Sequence, residues 1–348
     1  MSNATRWYAT REACKAAVGI NGASLDAQID AKIESASEGI ERLLGRRFIP
    51  YTATKQYRFP SRRNRNSYVL QLDEDLIAVT SLTKATDTAT AIASTDYFLE
   101  PVNSGPPYDC IEIDLSTSEY FTNEDTPQRA VRVTGRWGYG EDTKAAGALA
   151  EADDGSETAL EVTDASLIGV GDTILIGTEA MFVSGRATLT TGTTLNDTLT
   201  ASESDVTVTL ASGAAAKQGE VLLLDSEKML VESISGNDLT VKRAYDGSVL
   251  AAHSTGITVY AYRLLTVVRA VNGTTAAIHS TAAAIVKYAP PAAITELVIA
   301  EAIAHMKQDQ SGWTGQISGG EGAVRVSMGD LASLQERVRW QYRRLVFA

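Results

Sequence analysis

Histidine is the residue to start from, because this chain writes the same phrase around it twice. RAYDGSVLAAHST (243–255) and RAVNGTTAAIHST (269–281) share Arg, Ala, Gly, a hydroxyl residue, Ala, His, Ser and Thr at identical spacing, 26 residues apart. One chemistry this could support is metal binding, with His253 and His279 as imidazole ligands and Asp246 beside them. Structural zinc takes four protein ligands. The repeat offers two histidines, and Asp246 becomes Asn272 in the second copy. The favoured expectation is therefore structural. Gly247 and Gly273 allow a tight turn, each His holds its loop through a ring nitrogen bonded to backbone, and Arg243 and Arg269 hold carbonyls or a carboxylate. One folding unit is used twice, with no metal and no cofactor.

Other chemistries find less support. Acidic pairs occur in DEDL (73–76) and EADDGSE (151–157), but glycoside hydrolysis needs two carboxylates held about 5–10 Å apart in a cleft. No nucleophile elbow, phosphate loop or dinucleotide fingerprint stands at a strand-to-helix junction. The expectation is a protein that is not an enzyme. Two segments look built for contact instead. PSRRNRNS (60–67) places Arg62, Arg63 and Arg65 at a hairpin tip, facing DNA, a neighbouring protein or solvent. ERVRWQYRRLVFA (336–348) combines Arg337, Arg339, Arg343 and Arg344 with Trp340, Tyr342 and Phe347, the residue types enriched at interface hot spots.

These residues need elements to hold them. Ile29, Ile33, Ala36, Ile40 and Leu43 predict one helical face within 24–48, with Ser24 as N-cap and Gly45 as the stop. A shorter helix over 11–18 takes Thr10 as its cap. Between 50 and 140, short alternating runs such as SYVLQL, LIAVTSL and CIEIDL predict a small antiparallel sheet. From 141 to 289 the chain is rich in Thr, Val, Ala and Gly, and GDTILIGTEAMFV (171–183) matches GEVLLLDSEKMLV (219–231) at an offset of 48, keeping Glu179 and Glu227. Helical pattern returns at 291–308, where Ile294, Leu297, Val298 and Ala302 share a face. It returns again from 331, where Leu331, Leu334, Val338 and Leu345 do, after a glycine-rich loop at 312–322.

Charge supports a division into units. Of the net −12, residues 141–290 hold 9 Lys or Arg against 19 Asp or Glu. Cys14 and Cys110 make no disulfide framework, the N-terminus has no signal-peptide pattern, and Glu296 and Glu301 interrupt the most apolar stretch. A protein made in a reducing cytoplasm, without a membrane span, is expected. The predicted fold class is α+β: a small α-helical bundle core with an antiparallel β arm (1–140 and 290–348), interrupted by an acidic all-β domain of repeated strand-turn-strand modules (145–289).

Three blocks of this pattern, REACKAAVGI with the following helix to GRRF, VRVTGRWGYG (131–140), and PPAAITELVIAEAIAHMK (290–307), resemble the head–tail connector, or adaptor, proteins of tailed bacteriophages, the gp6-like family. The doubled His phrase resembles a structural element that recurs in phage virion proteins. The resemblance implies a virion neck protein, assembled in the host cytoplasm, that forms a ring with copies of itself, usually dodecameric, beneath the portal protein. DNA would pass through without sequence-specific binding, the C-terminal helix would dock on the portal, and the next neck or tail-completion protein would bind below. Members are commonly much shorter, with no counterpart to residues 141–289. A tail or baseplate module whose β domain contacts host or virion is the alternative.

Overall fold

The structure, a computed structural model, describes residues 6–59, 68–84, 90–122, 126–310 and 328–344. The chain opens with α1 (Arg11–Val18) and α2 (Asp26–Leu44). Thr10 caps α1 by accepting a hydrogen bond from the Ala13 amide at 3.2 Å, and Gly45, at φ 65°, ends α2 with its N–H on the Glu41 carbonyl. Ser24 is not the cap of α2. That position falls to Leu25, whose side chain makes no capping bond. Ile29, Ile33, Ala36 and Ile40 are buried as their spacing predicts, but Leu44 rather than Leu43 completes the face.

The expected α+β fold with a helical bundle core is overturned: the molecule is mostly β, with two large antiparallel sheets and four helices among the described residues. The helices do touch one another, but their hydrophobic cluster is shared with the sheet residues Ala180 and Phe182 and with Val170 in the turn before Thr173, and each sheet has a core of its own. Counting apolar helical faces gives undue weight to helices, because a strand buries its residues on a shorter and weaker repeat.

The first sheet contains β1 (Tyr51–Tyr57), β2 (Val69–Lys84), β3 (Thr90–Ile92), β4 (Tyr97–Glu100), β5 (Tyr108–Ile113) and β6 (Val131–Trp137). Its order is β1-β6-β2-β5-β4, with β3 also on β2. From Val69 on, the runs SYVLQL and LIAVTSL belong to one long strand, β2, with irregular register against β5 between Gln71 and Leu76.

The second sheet contains β7 (Thr143–Ala148), β8 (Ala159–Glu161), β9 (Thr173–Ile176), β10 (Glu179–Thr194), β11 (Thr207–Thr209), β12 (Val221–Leu224), β13 (Glu227–Ser235), β14 (Asp238–Lys242), β15 (Thr258–Val268) and β16 (Ala284–Tyr288). Its order is β11-β14-β13-β12-β15-β10-β9-β16-β7, with β8 on β15. The pairings occur in two sets with the same pattern. Hairpin β9–β10 corresponds to β12–β13, and β8 on β15 corresponds to β11 on β14. The bridges Leu149–Val162 and Asp153–His279 correspond to Leu195–Leu210 and Leu199–His253. Even the bulge after Val183 recurs after Val231.

The second set lies inside the first. The inner module runs from the later half of β10 to the early half of β15, and the outer module consists of what flanks it on both sides. Leu195, Leu222, Met229 and Val259 belong to the inner core, and Ile174, Met181, Leu265 and Ile285 to the outer. The long strands β10 and β15 carry both.

The chain closes with α3 (Ala292–Gln310) and α4 (Met328–Tyr342). Ile294, Leu297, Val298 and Ala302 are all buried as predicted; Leu331 and Val338 hold α4, and Leu334 packs on the same cluster.

Candidate functional site

The residues of the doubled phrase come together with the glutamate kept by the other repeat. Glu227 is fully buried at the start of β13. Its carboxylate accepts from Arg243 Nε at 2.8 Å and a second Arg243 nitrogen at 2.9 Å. It also takes the backbone amides of Ala244 (2.9 Å) and Ala251 (3.1 Å), and lies 2.9 Å from His253 Nε2. Glu179, equally buried at the start of β10, does the same with Arg269, Ala270, Ala277 and His279. The hairpin repeat at offset 48 and the phrase repeat at offset 26 are thus two halves of one unit. They cross over because one module interrupts the other.

Each shared letter of the phrase has a task. Arg243 and Arg269 also donate to carbonyls, of Ala251 and Ala277 respectively, at 2.7 Å. Ser248 accepts from the Lys228 amide at 2.9 Å, and Thr274 from the Ala180 amide at 3.1 Å, which ties the phrase to its hairpin. The histidines do not bond backbone through their rings as expected. His253 sits between Glu227 and Asp225, with its Nδ1 2.9 Å from the latter, and His279 lies 3.0 Å from Glu179. Arg269 meets a further carboxylate, Asp153, at 2.6 Å, where Arg243 has the carbonyls of Thr200 and Asp205.

Both glutamates are held ionised. Burial pushes the Glu227 carboxyl up, but Arg243, the two amides and His253 outweigh it and hold the group down at about 2. Glu179 is lowered for the same reasons. Such a carboxylate, saturated with donors and shut from solvent, has no proton to give near neutral pH. Among the described residues no group of three or more His, Cys, Asp and Glu could hold a metal ion.

The turns at the centre of the phrase face outward and fix the sheet to the rest of the chain. Asp246, at φ 49°, takes the Gly22 amide and Lys15 Nζ, each at 3.0 Å, and Lys228 Nζ at 2.7 Å. Its counterpart Asn272, at φ 56°, faces Arg47. Gly273 has φ 75°, and a Cβ there would stand 2.1 Å from the Thr52 carbonyl oxygen on β1, so no other residue fits. The contact continues at Val170, whose amide donates to Glu12 and whose carbonyl takes the Arg11 amide, and at Trp7, edge-on to Phe182 at 5.3 Å.

The C-terminal candidates divide by face. Trp340 is 91% exposed, and Arg337, Arg339 and Arg343 are exposed around it. Tyr342 points inward against Phe48 and Tyr139, and Arg344 is buried, donating to the Leu72 carbonyl beside Asp75. Arg62, Arg63, Arg65 and Phe347, with Leu345 and the loop 312–322, lie outside the described residues. No described helix is long and apolar enough to cross a membrane.

Searches of curated proteins and of solved structures gave no match. A family model does match: residues 9–107, a little over a quarter of the chain, fit the model described as head completion protein. That stretch holds α1, α2 and the first four strands, and through it the chain is similar to a family of phage structural proteins that act in head assembly.

Proposed function

We propose that this chain is a head-to-tail connector subunit of the virion neck, of the gp6-like kind, which forms a ring beneath the portal and docks on it through α4. In this reading residues 145–289 are an inserted domain and residues 1–140 and 290–348 the connector part. Support for that division comes from the second sheet, which begins at Thr143 and ends at Tyr288. The ring, usually of twelve copies in the resembled family, would surround DNA without reading its sequence.

The observation that carries the docking reading is Trp340. A tryptophan left almost wholly in water on a helix anchored by Leu331, Val338 and Tyr342 gives up a large apolar area that a partner could bury. Neighbouring arginines supply the polar rim found at such contacts. The test is capture by the portal protein of the same phage, read by electron microscopy and by pull-down. Trp340→Ala should weaken capture by at least about tenfold, the scale of a hot-spot truncation. Undiminished capture would contradict docking through this face.

A further inference from the structure

One cleft in the connector part holds an unbalanced arginine. Where the end of α2 approaches β1 and the Glu74–Asp75 stretch within β2, Arg6, Arg42, Arg46 and Arg47 line a cleft of about 360 Å³. Three carboxylates share its walls, and each is already engaged. Glu41 meets Arg6 at 3.0 Å and the Tyr8 hydroxyl. Glu74 meets Lys55 at 2.6 Å and the Tyr51 hydroxyl. Asp75 lies 3.4 Å from Arg46 and 3.5 Å from Arg344.

Arg47 has no such partner: among the described residues no carboxylate stands in ion-pair range of it. It makes a 3.5 Å contact to Asn272 Oδ1, the outer limit of a hydrogen bond, and interacts with the Tyr51 hydroxyl, while its Nε is buried without an acceptor. The guanidinium stacks on Tyr51, 3.7 Å from the ring centre. Burial, and then the charge of Arg6, lower its pKa below the ordinary arginine value. Arg47 is half-buried, and the charge of Glu41, which Arg6 already holds, offsets only part of the cost of its burial; an anion from outside would offset more.

The chemistry of the cleft selects the anion. One unmatched guanidinium calls for one negative charge, and its planar fork fits a carboxylate. A rigid duplex cannot enter a cleft of about 360 Å³ and would hold its row of phosphates against Glu41, Glu74 and Asp75, whereas a flexible peptide can place one carboxylate inside and leave its other charges in water. Arg42 stands at the rim, its side chain 82% exposed with a single 3.4 Å contact to Glu38, ready to meet a second acidic residue. We propose that this cleft is the docking site for an acidic peptide segment of a partner protein, one carboxylate of which closes on Arg47. The inference does not depend on docking through α4.

Hexaglutamate, inorganic phosphate and a short DNA duplex are the probes, titrated into the full-length protein carrying ¹³C-labelled tyrosine. Hexaglutamate should shift the Tyr51 ring resonances saturably, and the effect should fade with added salt. Arg47→Met should abolish the shift, and Arg47→Lys should weaken binding by roughly fivefold or more, having charge without the fork. Arg42→Ala should weaken it less, and this exposed change serves if Arg47→Met does not fold. Tyr51 resonances untouched by hexaglutamate in the wild-type protein would overturn the proposal. So would binding that survives in Arg47→Met, or a response to phosphate or duplex with none to hexaglutamate.

Discussion

Glu179 and Glu227 are where two arginines, two histidines and four backbone amides converge, so the modules depend on them more than on the histidines that mark them in the sequence. Truncating Glu227 to Ala strands Arg243 as a buried, unpaired cation, and removal of one partner from a buried pair costs about 3–5 kcal/mol. Chemical denaturation should show that loss. His253→Ala, which leaves the Arg243–Glu227 pair standing, should cost less. Acid supplies an independent check. The Glu227 carboxyl is depressed from its ordinary 4.5 to about 2 on folding, so its contribution is complete above pH 4.5 and disappears as pH falls toward 2. Stability measured across that window should decline more steeply for the wild-type protein than for Glu227→Gln, and parallel curves would refute the assignment. The clusters were half legible: both repeats stand in the sequence, but nothing local says that Glu227 pairs with the first phrase and Glu179 with the second. Gly273 was legible only as a turn residue. Its closeness to Thr52 is a contact between distant parts of the chain. Gly273→Ala should therefore destabilise by several kcal/mol from the clash and the φ together. Gly177→Ala, with positive φ but open space around it, should cost only about 1–2 kcal/mol, and equal losses would mean the β1 contact is unimportant.

At the scale of elements, periodicity located the helices and misjudged their share of the fold. Three helical faces announce themselves because each repeats over several turns, and α2, α3 and α4 occur close to where spacing puts them; α1 follows Thr10, the cap expected for it. Ser24 failed as a cap because the chain from Ala23 to Leu25 enters α2 through a turn, with the Asp26 amide on the Ala23 carbonyl. In β2 the polar run DED between Leu72 and Leu76 resembles a loop, yet the backbone stays extended through it. Asp75 there is held by Arg46 and Arg344, the latter arriving from the end of α4, a partner that no window around β2 contains. The two sides of α4 make separable demands. Val338 is fully buried, so Val338→Ala should cost about 2 kcal/mol of stability from lost burial and a small cavity. Trp340→Ala should change stability by no more than about 0.5 kcal/mol. A large loss of stability in Trp340→Ala would mean that the tryptophan is a packing residue, and its effect on capture would then say nothing about docking.

At the scale of the molecule, the nesting of one module within the other has a consequence for folding. The outer module cannot be completed until the inner 76 residues between Ala187 and Leu264 have been made, yet its own core, around Ile174, Met181, Leu265 and Ile285, contains none of them. Ala187 and Leu264 stand opposite each other on β10 and β15, the geometry from which a two-residue hairpin turn departs. Replacing residues 188–263 by Asn-Gly should then give a chain that still folds, with the outer cluster intact and Trp7 still packed on Phe182. Some stability should be lost with the contacts of Asp246 to Gly22 and Lys15. Near-ultraviolet circular dichroism and hydrogen exchange on β9 and β16 would report it. Native-like protection there means that the inner module is an independent passenger on a completed scaffold, free to vary without disturbing α4 or the Arg47 cleft. Loss of protection means instead that β10 and β15 need their full length to pair, and that the two modules fold as one cooperative sheet.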